Sequence, residues 1–384
     1  MKITRIYFLL FAILFLFTLP ISAQSPSHKY FVYVGTYTNK TESKGIYLYE
    51  FSSDTGKLTP KGMAALAVDP SWVAVHPNGK FLYAANESGK TSAVSAYSID
   101  PKSGKLKLLN QLPSQGEDPC HLSFDETGKY LLVANYTSGT VAVFPILPDG
   151  HLGEHTAVVK DAGTLGPNKE RQEAPHAHWS AVSSHNHFVY VSDLGLDRVL
   201  IYKFDDTNGT LTTGEPADHF SAVLSPGTGP RHAAFAPGGK FMYVLAEMKS
   251  SVTVFANDNQ EVFRSVQEIS ALPKDFTGRN DAAEIAIDPS GKFLYTSNRG
   301  HDSIAIFAMD PAEGTLSPLA IVPTGGKEPR HFAIDPTGHY LLAENQNSNT
   351  ISEFRIDPAT GNLTPTGTVT QVPSPVCIAF LPIK

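Results

Sequence analysis

The chain has 384 residues, a formal net charge of −7 and 41% hydrophobic content, with 30 Gly, 28 Pro and only two Cys. An acidic balance argues against a nucleic-acid partner. Two cysteines exclude a disulfide-stapled scaffold, and the length is ample for a large core.

The first stretch reads as a targeting segment. Lys2 and Arg5 precede an apolar run from Ile6 to Leu19, followed by Pro20 and a small residue at Ala23. This is the pattern of a secretory signal peptide spanning residues 1–23, with an uncleaved anchor helix as the alternative. Cleavage before Gln24 removes two positive charges and leaves a periplasmic or secreted protein with no membrane span.

From residue 24 to 384 one unit recurs. SWVAVHPNGKFLYAANE (71–87), CHLSFDETGKYLLVANY (120–136), SPGTGPRHAAFAPGGKFMYVLAE (225–247), AEIAIDPSGKFLYTSNR (283–299) and RHFAIDPTGHYLLAENQ (330–346) are close copies, and HAHWSAVSSHNHFVYVSDL (176–194) is a degraded one. Each reads as a β-hairpin: apolar and aromatic runs around a Gly turn, with polar groups at the open end. A third strand follows (such as DRVLIYKFD or DSIAIFAMD), then an x-G-x-L turn and a fourth strand. The segment from Asp258 to Phe263 lacks the Gly. Four antiparallel strands at a period of about fifty residues are a propeller blade, and this repeat overrides the two or three domains that length suggests.

The ends complete one another. PVCIAF (375–380) is a first strand without partners, whereas YFVYV (30–34), GIYLYEF (45–51) and the strand after SDTGKL (53–58) lack a first. The expected fold is therefore all-β: a single seven-bladed β-propeller of four-stranded antiparallel blades. Its closing blade is shared between N- and C-terminal strands, which hides edges prone to aggregate.

The up-and-down order puts the start of each first strand and the end of each second on one face. The longest connections, Lys160 to Ala174, Thr213 to Gly229 and Arg264 to Asn280, fall there too. So do His176, His178, Arg231, Arg330, Glu87, Asp193, Glu247 and Arg299. Convergent polar groups around a channel make this mouth the candidate site. His176 and His178 are two apart, hence on one face of a strand. The three arginines need an anion to sit together, and Glu87 and Glu247 serve either as salt-bridge partners or as functional groups. His121, His232 and His331 share one blade position and read as packing. Asn86, Asn135, Asn298 and Asn345 read as turn caps. No metal or other cofactor is expected, because the arginines repel a cation and no HExxH pattern occurs. No G-x-S-x-G elbow is present. Cys120 and Cys377 fall two blades apart, so two free buried thiols are expected.

At these residues the chain resembles the lactonase family of seven-bladed propellers, which holds bacterial 6-phosphogluconolactonases and fungal 3-carboxymuconate-lactonizing enzymes. The resemblance rests on YVGTYT (33–38), HPNGKFLYAANE (76–87), APHAHW (174–179), SDLGLDRV (192–199), PGTGPRHAAFAPGGKFMYVLAE (226–247), NDAAEIAIDPSGKFLYTSNRG (280–300) and PRHFAIDPTG (329–338). It implies a hydrolase of a sugar lactone, and the signal segment makes that hydrolase an exported one. His176, His178 and Glu247 would be acid–base groups, and Arg231 and Arg299 would stabilise charge. Arg330, Glu87 and Asp193 would contact a lactone or sugar-acid substrate. Relatives place Asn before the glutamate where this chain has Ala246. A muconate-type lactonizing cycloisomerase and a non-catalytic ligand- or partner-binding propeller are the alternatives.

Overall fold

The computed structural model describes residues 28–213, 221–257 and 262–384. The expected signal segment, residues 1–23, lies outside them, as does most of the Asp258 to Phe263 stretch. Among the described residues no helix is long and apolar enough to cross a membrane.

Seven antiparallel sheets form, six in sequence order and one that joins the ends. Blades 1 to 6 begin with the inner strands Pro70–Val75, Pro119–Phe124, Ala177–Val182, Pro230–Phe235, Asp281–Ile287 and Pro329–Ile334. Blade 7 takes its inner strand, Pro375–Pro382, from the C-terminus; it pairs with Lys29–Thr36, Val32 opposite Phe380 and Val34 opposite Ile378. The closure expected from the sequence is thus the one observed.

The apolar cores lie between blades. Tyr33, Ile46 and Leu48 of blade 7 pack with Val73, Leu82 and Tyr97 of blade 1, and equivalent clusters join each later pair. Alternation along each strand feeds both faces, because both are covered by a neighbour. A tyrosine of the second strand ties the blades together. Tyr33, Tyr83, Tyr243 and Tyr295 hydroxyls donate to the carbonyls of Gly104, Gly150, Gly314 and Gly361, each in the x-G-x-L turn of the next blade. Those turns are structural, as expected. Gly314 needs its φ of 72°, and a Cβ there would strike the Phe241 ring.

Two long connections are shorter than the sequence implied. Phe263–Ser270 is the outer strand of blade 4, so that connection starts only at Ala271. Ser221–Val223, inside the stretch from Thr213 to Gly229, pairs with the third strand of blade 3. Outer strands have one solvated face and few apolar residues, which leaves little periodic signal to read.

Candidate functional site

The mouth of the channel is built by a repeated irregularity. In blades 1 to 4 and 6 the inner ladder skips one residue just after it starts: Ser71, Cys120, His178, Arg231 and Arg330 are the extra residues. Blade 5 skips two, Ala283 and Glu284. A bulge frees a residue from the pleat and re-aims its side chain, so the same device re-aims a different group in each of six blades.

Glu247 is the centre. Its Oε1 accepts from Arg171 Nη2 at 2.5 Å, and its Oε2 lies 3.0 Å from both Arg231 Nε and Arg299 Nη2. Arg231, Glu247 and Arg299 are all buried, whereas the Arg171 side chain is 32% exposed and covers them. Burial alone would raise the Glu247 carboxyl, but Arg299, Arg231 and Arg171 together overcome it and hold the group down at about 2. Arg231 is also pinned by donation to the Ala283 carbonyl. Burial and the neighbouring Arg299 and Arg330 push its guanidinium down to about 10. Three cations on one carboxylate leave an excess of positive charge at the mouth.

The two predicted histidines flank one ring. His176 stacks on Tyr136 at 4.5 Å between centroids, and His178 meets the same ring edge-on at 5.5 Å. The His176 Nδ1 faces the Tyr136 carbonyl at 3.1 Å and its Nε2 faces Glu173 at 3.2 Å. His178 Nδ1 lies 3.7 Å from Cys120 Sγ, and its Nε2 makes no hydrogen bond among the described residues. Burial, then Arg231 and His232, push the His178 imidazole well below its ordinary range, so it is neutral.

Beneath the mouth the channel is filled. Trp72 lies 4.3, 5.4 and 5.3 Å from His121, His232 and His331. His232 Nδ1 pairs with Glu284 at 3.0 Å, and His331 Nδ1 pairs with Glu344 at 2.5 Å. These three histidines do pack the channel, as their shared position implied, and two also bind buried glutamates: His232, pushed down to about 4, does so as a neutral imidazole, whereas Glu344 raises His331. Neither Glu284 nor Glu344 was assigned a role from sequence.

The remaining predicted residues separate. Arg330 stacks over the Tyr37 ring at 5.3 Å and makes no hydrogen bond or ion pair among the described residues. Glu87 accepts from the Tyr37 hydroxyl at 2.8 Å. Tyr37 and Glu87 edge an open polar cavity of about 790 Å³; Arg171 and Asp281 edge another of about 660 Å³. Asp193, by contrast, has no exposed surface and binds the His176 and Leu196 backbone amides. Its side chain is buried against backbone rather than open at the mouth. Sequence reasoning missed Arg171; its only signal was the length of the connection that carries it. Tyr136 stood in view at the end of a second strand, but nothing in sequence marked its ring as the partner of both histidines.

Three of the four asparagines prove to be clamps on incoming connections, while Asn345 bonds within its own blade. Asn86, Asn135 and Asn298 donate to the carbonyls of Val68, Ser114 and Ala271. Blade 4 has Ala246 there, and its incoming segment is held instead by Asp197, which accepts from Gly227 and Gly229 N–H at 2.7 and 2.8 Å. The departure at Ala246 thus has a local replacement. Cys120 and Cys377 are both free and buried. Among the described residues no group of three or more His, Cys, Asp or Glu is placed to hold a metal ion.

A seven-bladed propeller whose mouth gathers guanidiniums around a buried carboxylate, beside neutral imidazole, is a scaffold for anionic or carbonyl-bearing small molecules. The chain belongs to the lactonase family of seven-bladed β-propellers, whose model matches residues 31–380. It is 40% identical over 299 residues to the 6-phosphogluconolactonase of Bacillus subtilis strain 168, covering 78% of this chain and 83% of that one. It is 34% identical over 303 residues to that of Formosa agariphila, covering 77% and 84%. Among solved structures it resembles a Pseudomonas aeruginosa periplasmic gluconolactonase, with a TM-score of 0.87 and 32% identity over 93% of this chain and 100% of that one.

Proposed function

We propose that this protein is an exported lactonase that opens a sugar (aldono)lactone at the Glu247 mouth. The observation that carries the reading is three guanidiniums on one buried carboxylate with the neutral His178 beside them. Hydrolysis needs a base for water, positive charge for the tetrahedral oxyanion and an anchor for the rest of the substrate. His178, kept neutral by burial and the nearby guanidiniums, accepts a hydrogen bond from the attacking water at its unengaged Nε2, takes the proton only as the new C–O bond forms and passes it at once to the leaving alkoxide. Arg231 and Arg299 stabilise the oxyanion. Glu247, ionised and shared among arginines, is a poor proton acceptor, so its part is to hold those guanidiniums in place. His176, whose ring nitrogens are engaged by the Tyr136 carbonyl and the Glu173 carboxylate, holds the Tyr136 ring that His178 also meets and so orients the site.

Arg330 has no carboxylate partner among the described residues and stacks over Tyr37, which with Glu87 edges the larger cavity. It is placed to bind an anionic tail, while Glu87 accepts from substrate hydroxyls. The relatives from Bacillus and Formosa are named for a phosphorylated lactone and the Pseudomonas relative for an unphosphorylated one in the periplasm. Residues 1–23 read as a signal peptide, and an exported enzyme does not meet cytosolic sugar phosphates, so the unphosphorylated lactone is the substrate we favour. The test is turnover of glucono-lactone with and without a 6-phosphate, measured above spontaneous opening on purified protein. Faster opening of the unphosphorylated lactone is expected. Faster opening of the phosphorylated one would reverse the substrate assignment, and opening of neither would leave a binding propeller. Ring closure of a muconate-type diacid would mark the cycloisomerase.

A further inference from the structure

Asp193 occupies the ladder position at which blades 1, 2, 5 and 6 place Asn86, Asn135, Asn298 and Asn345. In blades 2 and 5 that asparagine donates its amide N–H to the residue that has just left the outer strand of the preceding blade: Asn135 to the Ser114 carbonyl at 3.1 Å, Asn298 to the Ala271 carbonyl at 2.9 Å. In front of blade 3 the corresponding residue is Asp161, which follows the outer strand Ala157–Lys160. A carboxylate at position 193 has no N–H to give.

What replaces that bond is a pair of acids. Asp161 and Asp193 are 2% and 0% exposed and lie close enough for each to act on the other's carboxyl. Asp161 Oδ1 accepts from the Tyr202 hydroxyl at 2.6 Å. Asp193 Oδ1 accepts from the backbone N–H groups of His176 and Leu196 at 2.9 and 3.0 Å. One oxygen on each, Oδ2, is left buried without a donor. Two buried carboxylates in contact do not both ionise, and a single proton between them satisfies both orphaned atoms.

We propose that Asp161 and Asp193 share one proton, and that this acid–carboxylate bond clasps the base of residues 161–176, the loop that carries Arg171 to Glu247 and ends at His176. Asp161 is then a positioning residue: it touches no substrate, but it sets where His176 and Arg171 stand. Elsewhere the loop is held by bonds that do not titrate, Gln172 Nε2 to the Leu194 carbonyl at 2.9 Å and Gly166 N–H to the Gly195 carbonyl at 2.9 Å, and by the Arg171–Glu247 ion pair, whose partners both stay charged from pH 6 to 9.5.

The sign of the pH dependence follows. Burial, then the adjacent Asp193 charge, lift the Asp161 carboxyl well above the usual range, and burial also raises Asp193. Tyr202 and His176 are the titratable groups that face the pair, and each favours the ionised carboxylate it faces. A raised acid contributes its stability below the ordinary aspartate value and loses it as pH rises through the folded value. The clasp is closed in acid and opens on the alkaline side.

The catalytic consequence rests on the lactonase reading; the clasp itself does not, and the test separates them. Hydrogen exchange of residues 161–176, corrected for intrinsic rates, is followed from pH 6 to 9.5 in the full-length wild type, Asp161→Asn and Asp161→Ala. In the wild type, protection is expected to fall about 10-fold through a one-proton step. Asp161→Asn, whose amide donates to Asp193 without a proton, should stay protected throughout, and Asp161→Ala should be unprotected at every pH. Lactone kcat should follow the same step in the wild type, retain its neutral value in Asp161→Asn and lack the step there. A stepless wild type, or identical protection profiles for wild type and Asp161→Asn, overturns the clasp. A step in protection with no lactone turnover in any variant keeps the clasp and sinks the lactonase reading. A step in protection without the matching step in kcat removes the positioning role.

Discussion

Arg171 donates to Oε1 of Glu247 at 2.5 Å across 76 positions of sequence, from a connection between blades 2 and 3 to the end of a strand in blade 4. It is the outermost of the three guanidiniums on that carboxylate, and the one that solvent reaches.

Because Arg171 is partly exposed, Arg171→Ala should fold normally and lower kcat/KM by roughly 10- to 100-fold, through loss of its charged contacts with Glu247 and Asp281. Arg231→Ala and Arg299→Ala should each cost roughly 100-fold or more, mostly in kcat, as expected of groups at the oxyanion. Arg330→Ala should act mainly on KM. Steady-state kinetics beside a thermal melt distinguish these patterns, and unchanged kinetics in the Arg231 and Arg299 variants would remove the mouth from catalysis.

Glu247 makes a separate prediction about stability. Its folded value, about 2, is below the ordinary carboxylate value, so its contribution is present above that ordinary value and is lost as pH falls toward 2. At about 1.4 kcal/mol per pH unit the buried carboxylate accounts for ~3 kcal/mol. Glu247→Gln should flatten this acid limb. It should also destabilise the protein by ~3–5 kcal/mol at neutral pH, because the arginines are left buried without their counter-charge. Urea unfolding at pH 7 and pH 3 measures both; equal losses at the two pH values would contradict the assignment.

Deleting residues 373–384 removes the inner strand of blade 7. That strand pairs with Lys29–Thr36, and its Cys377 packs against Val73 of blade 1. The remaining chain keeps two exposed edges and a ring that does not close, so insoluble or oligomeric protein is expected. A monomeric, cooperatively unfolding truncation by size exclusion and calorimetry would refute the closure.

The thiols give a simple chemical check. Cys377 Sγ contacts the Val73 carbonyl and Cys120 Sγ contacts carbonyls of Ala134, Ala177 and His178; burial pushes both thiols up. Neither is a nucleophile at neutral pH. Denatured, unreduced protein should titrate two thiols and the native protein none within minutes.

The sequence by itself determined the blade, the blade count and the closing blade. The copies of the hairpin repeat the same alternation, most with the same Gly turn and several with the same tyrosine, and an antiparallel hairpin has one open end. That also determined the face on which Glu247, Arg231, Arg299 and the two histidines meet, since residues at equivalent positions of a ring share a level. Tertiary structure alone decided which of them touch. Bulges at Ser71, Cys120, His178, Arg231 and Arg330 re-aim side chains in a way that period-two alternation does not encode. Arg171 reaches Glu247 because a connection without periodicity is held down at its base. Asp193, read as a mouth residue, is buried because its partners are two backbone amides and a carboxyl from the blade before. Contacts between blades depend on how neighbouring sheets pack, and no local pattern along one strand records what the next blade brings against it.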